Sequence, residues 1–218
     1  MGSRKRIVKP KAKRASNIDE SMSDDGDSSS VKKKPADDTV DSMALSNLGV
    51  HMLYDEIDNE AARDVCEFII KANYVLSTRH TLTIMINTPG GSVYDGWGIV
   101  DTMDCSRLKI QTVGIGAIFS MGAVIFVAGT EGKRVMTRNS YLMTHQFTDG
   151  MEAKYHEFVA ARPHQDELHN RFVRHFVERT KMSEKQVNEI ILAKSDIYLS
   201  AKECLKHGIC DVIKDPWE

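Results

Sequence analysis

The chain has little from which to build a cross-linked or membrane-spanning protein. Its 218 residues include four cysteines, Cys66, Cys105, Cys204 and Cys210, with no Cys-x-x-Cys pair among them. That is too few for a disulfide scaffold, so they read as reduced thiols in a reducing compartment. The longest apolar run, Ala123 to Ala128, is about a third of the roughly 20 residues a bilayer crossing needs, so no membrane span is expected. His164, His169 and His175 share one polar segment but lack zinc spacing with a carboxylate partner, so no metal is expected. Lys and Arg number 29 against 31 Asp and Glu, a net charge of −2, which gives no whole-chain reason to expect nucleic acid. No repeat at the periods typical of solenoids or propellers is present.

The charge is unevenly spread. Residues 1–42 carry 10 Lys/Arg and 8 Asp/Glu, leaving 19 and 23 for residues 43–218. That first stretch holds Arg4-Lys5-Arg6, the acidic serine-rich run Ser21 to Ser30 and Lys32-Lys33-Lys34, with almost no large apolar side chain. It buries too little surface to offset the entropy of ordering, and is expected to be a disordered polar tail or a propeptide. It contains no apolar core of a secretory signal, and Arg6 stands where myristoylation wants Ser or Thr.

From about residue 48 strands and helices alternate. Val50 to Tyr54 reads as a short strand. Asn59 to Asn73 reads as a helix burying Ala62, Val65, Cys66, Ile69 and Ile70. Thr81 to Ile86 is a β-rich run ending at Pro89-Gly90-Gly91, after which Ser92 caps a helix with Val93, Trp97, Val100 and Met103 at helical spacing. A strand at Ile110 to Gly114, a helix at Met121 to Ala128, and strands at Arg134 to Met136 and Tyr141 to His145 follow. A long polar helix carrying Leu168, Phe172 and Phe176 leads to a second at Glu184 to Lys194. This alternation predicts an α/β layer fold with a mostly parallel sheet, whose chemistry collects at the carboxyl ends of strands.

Three strand ends carry distinctive residues. Pro89-Gly90-Gly91 lets backbone approach a ligand closely and aim a free N–H at it, although it is also a common turn. In Gly114 to Ala123, small residues precede a lone serine, Ser120, that opens an apolar helix. It is either an N-cap or a nucleophile beside helix-terminal N–H groups. Tyr141 to Gln146 delivers His145 at a strand end.

Together Asn87-Thr88-Pro89-Gly90-Gly91, Ser120-Met121-Gly122-Ala123, Ala128-Gly129, Gly132-Lys133-Arg134, Asn139-Ser140 and Met143-Thr144-His145-Gln146 resemble the ClpP family of serine peptidases. Asp196 to Glu203 and His207 to Asp211 resemble that family's closing segment, so the likeness covers roughly residues 48–218. It implies a ClpP/crotonase-like fold over 43–218, with a protruding helical handle after His145. It also implies Ser120 as nucleophile, His145 as general base and Asp196 as the acid orienting it, with the backbone N–H groups of Gly91 and Met121 as the oxyanion hole. Serine needs a base within hydrogen-bond reach, histidine titrates in the useful range, and a carboxylate holds its tautomer. Each oxyanion donor is typically worth about 3 kcal/mol.

The resemblance further implies a serine endopeptidase cutting unfolded polypeptides or short peptides through an acyl-enzyme. It would form heptameric rings, with a double-ring tetradecamer as their stacked form. No cofactor belongs to this chain; ATP is used by a partner AAA+ unfoldase. The sequence departs from the family at Phe147, where proline is usual, at Thr83 and Met85, where aromatics help dock the unfoldase, and at Pro163, which should kink or break the handle helix. Gly150 marks the expected substrate-lining strand. A divergent, bacteriophage-encoded member that mixes with host ClpP subunits fits these departures, which places it in the cytoplasm of a bacterial or phage-infected cell. An organelle matrix is the second location, since residues 1–18 lack acid. The alternative function is a non-hydrolytic or regulatory ring subunit that needs a partner subunit. A crotonase-like acyl-CoA enzyme also uses paired backbone N–H groups, but would not require Ser120, His145 and Asp196 together.

Overall fold

The computed structural model describes residues 45–75, 80–148 and 154–214. The tail assigned to 1–42 and the strand marked by Gly150 lie outside them. Residues 45–48 are helical. The chain then runs β1 (Val50–Leu53), α1 (Asn59–Tyr74), β2 (Thr81–Thr88), α2 (Val93–Asp104), β3 (Lys109–Phe119), α3 (Met121–Val127), β4 (Arg134–Met136) and β5 (Tyr141–Thr144). It continues through α4 (Tyr155–Arg179), α5 (Glu184–Gln186) with a π-helical turn at Val187–Ile191, β6 (Ile197–Ser200), α6 (Ala201–His207) and β7 (Val212–Ile213).

One sheet carries every strand among the described residues, in the order β1-β2-β3-β4-β7, with β5 also on β3 and β6 on β5. Every pairing is parallel except β5 with β6. The expected α/β fold with a mostly parallel sheet is therefore present. β3 organises it. Thr112–Gly114 pair with β4, while Ala117–Phe119 pair with β5, so one strand changes neighbours along its length. The small residues from Gly114 do not end this strand, as the sequence suggested. Instead Gly116 takes φ +67° and the register against β2 shifts between Ile86 and Thr88. Asn87 Oδ1 accepts the Ala117 N–H at 3.0 Å, and the strand continues to Phe119.

Helix faces follow apolar spacing. α1, capped by Asp58 on the Ala61 N–H at 2.9 Å, buries Ala62, Val65, Phe68 and Ile69. Cys66 is only half-buried and Ile70 is 48% exposed, so the inward stripe lies one residue round from the expected one. All seven residues of α3 are buried, as an uncharged helix requires. α4 runs unbroken through Pro163, contrary to the expected interruption. Pro163 is exposed, so water can reach the backbone carbonyl that loses its helical donor. The C-terminal half of α4 is fixed by buried Phe172, Val173 and Phe176.

A buried ion pair closes the far side of the sheet. Arg134 in β4 donates from its backbone N–H (2.9 Å) and Nε (3.0 Å) to Asp211 Oδ2, and from Nη2 to Oδ1 (2.5 Å). Its Nη1 donates to the Arg179 carbonyl at the end of α4. Burial alone would raise the Asp211 carboxyl, but Arg134's hydrogen bonds and charge outweigh it and hold it below the usual range. Asp211→Ala leaves the guanidinium buried without its partner. It should lower stability by about 3–5 kcal/mol, read from the urea midpoint at constant slope.

Candidate active site

The β3–α3 junction holds Ser120 in a backbone conformation that serine rarely adopts. Its φ of +53° and ψ of −119° make it the one non-glycine residue with positive φ among the described residues. Such a conformation costs on the order of 1–3 kcal/mol and persists only where its surroundings impose it. Here the Ser120 N–H donates to the Met143 carbonyl of β5 at 2.7 Å, and its carbonyl accepts the Ala123 N–H at 3.0 Å. The serine oxygen makes no capping bond to α3, so the N-cap alternative does not describe it.

Pro89-Gly90-Gly91 packs directly against this turn. Gly90 has φ +98°, and a Cβ on it would lie 2.6 Å from Ser120 Cβ and 2.8 Å from the Phe119 carbonyl. Gly91 has φ +148°, and a Cβ there would meet the Ile57 carbonyl at 2.3 Å. Only glycine fits either place. Thr88 Oγ1 accepts the Gly90 N–H (3.1 Å) and donates to the Asp55 carbonyl (2.6 Å). The Gly90 carbonyl accepts the Ile57 N–H (2.7 Å), and the Ser92 N–H donates to the Ile57 carbonyl (2.6 Å). Among the described residues, no acceptor meets the N–H of Gly91 or of Met121.

Gly91, Ser120, Met121 and His145 line one cavity of about 190 Å³, whose remaining walls include Val124, Phe147, Phe172, Phe176, Ile191 and Leu192. Four of the five residues singled out from sequence thus converge. The fifth, Asp196, is not part of the cavity wall. It precedes β6, where Thr144 pairs with Ile197, so the antiparallel register sets Asp196 across from His145. It is exposed, and no hydrogen bond joins it to His145 or His145 to Ser120 among the described residues. Instead His145 Nδ1 lies 2.7 Å from the Gln146 carbonyl. A carbonyl only accepts, so Nδ1 carries the proton and, in the neutral ring, Nε2 keeps its lone pair.

The sequence pattern of Clp protease matches residues 33–216. The chain belongs to the Clp protease family. Among its relatives, an ATP-dependent Clp protease proteolytic subunit 1 of Prochlorococcus marinus is 38% identical over 136 residues, 60% of this chain and 65% of that one. A proteolytic subunit of Arabis hirsuta is 31% identical over 159 residues, 72% of this chain and 80% of its own. A proteolytic subunit 2 of Bacillus licheniformis is 30% identical over 132 residues, 61% of this chain and 68% of its own. The chain therefore spans just under two thirds of the first of these relatives.

Several family motif residues serve the frame rather than the cavity: Arg134 and Asp211 form the ion pair, and Gly122 lies so close to Thr88 that a Cβ would meet its Cγ2 at 2.5 Å. Sequence reasoning missed the cavity's floor. Phe172 and Phe176 are buried, as an apolar stripe at that spacing should be, and they also wall the cavity, where Phe147 stacks on Phe172 at 5.6 Å. Behind them Trp97 contacts Phe172 and His175, with the Arg171 guanidinium 4.0 Å above its ring. No group of three or more His, Cys, Asp or Glu among the described residues could hold a metal ion. No helix among them is long and apolar enough to cross a membrane.

His175 donates from Nε2 to the Val124 carbonyl at 2.9 Å. Burial drives its pKa down to about 4; the Val124 bond opposes this, while Arg179 and Arg171 add to it. The folded state thus binds this proton less readily than the unfolded chain, at about 6.5. Its contribution is complete above pH 6.5 or so, falls as pH drops toward about 4, and amounts to roughly 3 kcal/mol. His175→Gln keeps a donor for Val124 but cannot titrate. Its melting temperature should lose less between pH 7 and pH 4 than that of the wild type.

Proposed function

We propose that the chain is a serine endopeptidase, the proteolytic subunit of a Clp-type ATP-dependent protease. The observation that carries this reading is the positive-φ Ser120, lodged in one cavity with His145 and the free N–H groups of Gly91 and Met121. In this reading His145 Nε2 takes the Ser120 hydroxyl proton as Oγ bonds to the scissile carbonyl carbon. The oxyanion accepts from the Gly91 and Met121 N–H groups. The C–N bond then breaks and the proton passes to the departing amine, leaving an acyl-enzyme that water hydrolyses by the same steps. Asp196 joins when the imidazole turns its Nδ1–H from the Gln146 carbonyl toward the carboxylate.

That required turn favours a second reading, a subunit active only with a partner. Neighbouring subunits in a heptameric ring or double ring, host ClpP subunits, or an AAA+ unfoldase that uses ATP would supply the alignment. The names of the relatives, all proteolytic subunits of ATP-dependent proteases, support the unfoldase partnership. The substrates are polypeptides, and the apolar walls suit a Leu- or Met-sized side chain before the scissile bond.

A fluorophosphonate probe should label the wild type at Ser120, and neither Ser120→Ala nor His145→Ala, read by intact mass. Labelling that survives in Ser120→Ala sinks the nucleophile assignment. Labelling of the wild type only after host subunits are added selects the second reading. Peptides with Leu or Met before the cut should be cleaved at least about tenfold faster than those with Asp or Lys. A peptide series measured by chromatography decides this.

A further inference from the structure

The segment that carries His145 is held from outside the cavity by a chain of side-chain hydrogen bonds. Gln146 Oε1 accepts the Phe147 N–H at 3.2 Å, and Gln146 Nε2 faces His169 Nδ1 of α4 at 3.4 Å. His169 Nε2 lies 3.0 Å from Asn188 Oδ1 in the π-helical turn. Asn188 Nδ2 donates to the Glu184 carbonyl at 2.9 Å. Both ends of this chain are backbone groups, so its polarity is fixed throughout. The Phe147 N–H can only donate, which assigns Oε1 to it and leaves Gln146 Nε2 as a donor toward His169. The Glu184 carbonyl can only accept, which assigns Nδ2 to it and leaves Asn188 Oδ1 as an acceptor. His169 must therefore accept at Nδ1 and donate at Nε2, the arrangement of one neutral tautomer.

Gln146 is also the residue whose carbonyl receives the His145 Nδ1–H, and its own N–H donates to the Ala193 carbonyl at 3.1 Å. Phe147, the next residue, lines the cavity. We propose that His169 is a positioning residue for His145, acting through Gln146, a proposal that rests on reading His145 as the general base. It couples the central part of α4 and the π-helical turn to the placement of the base. A small displacement of a catalytic group is enough to slow chemistry strongly without weakening substrate binding.

The test uses the full chain and the initial rate of fluorophosphonate labelling, with folding followed by circular dichroism. His169→Leu removes both polar atoms, whereas His169→Gln retains one acceptor and one donor. Labelling should slow about tenfold in His169→Leu and return to within about twofold of wild type in His169→Gln. With a peptide substrate the loss should fall on kcat and leave KM unchanged. Asn188→Ala breaks the same chain at its far end and should slow labelling in the same direction, which decides the matter if His169→Leu does not fold. Wild-type rates in folded His169→Leu or in Asn188→Ala overturn the proposal, as does a His169→Gln variant as slow as His169→Leu. A wild type that stays unlabelled even after host subunits are added would instead defeat the serine reading, and the proposal with it.

Discussion

The contact between Gly90 and Ser120 is the constraint around which the molecule is arranged. A side chain on Gly90 would overlap the serine, and a serine in ordinary backbone geometry would not be aimed into the cavity. The left-handed turn at Ser120 survives because the Met143 carbonyl pulls on its N–H, α3 is buried behind it, and Thr88 clamps the glycine turn in front. The serine follows β3, the Met143 carbonyl belongs to β5 and Thr88 to β2. The sheet's topology is therefore a condition of the site, since β2, β3 and β5 must end side by side to bring these three groups together.

β3 makes that possible by exchanging β4 for β5 at its kink. Had it ended at Gly114, Ser120 would lie beyond the reach of β5. The bend at Gly116 costs a stretch of regular ladder against β2, and the Asn87 side chain supplies the missing acceptor. On the opposite side, Arg134 performs a similar repair for charge. It ties the short strands β4 and β7, too small to hold themselves by backbone pairing, to the end of α4.

Much of this was legible in the sequence, for local reasons. Apolar periodicity marked α1, α2 and α3 to within a residue or so. The Pro-Gly-Gly turn, the lone serine before an uncharged helix and the histidine at a strand end all report on backbone requirements that only a few residue types satisfy. What stayed hidden is non-local. Glycine-rich β3 reads as a terminated strand because its continuation depends on Asn87 of the neighbouring β2. The spacing of Phe172 and Phe176 marks them as core, but that they wall this cavity depends on where α4 docks. Arg134 and Asp211 stand 77 positions apart, beyond the reach of periodicity. The ring orientation of His145 has no sequence signal, because the Gln146 carbonyl that accepts its Nδ1–H is a backbone group such as every residue carries.

The antiparallel pairing of β5 with β6 has a consequence for the protein's own synthesis. His145 and Asp196 face each other only through that pairing, and β6 ends at Ser200, near the finish of the described chain. A polypeptide still emerging from the ribosome could complete β1, β2 and β3 and already carry the strained serine. It would still lack the strand that sets the carboxylate opposite the histidine. The order of residues along the chain thus sets this carboxylate opposite the histidine only after β1 to β5 and α4 have all been translated.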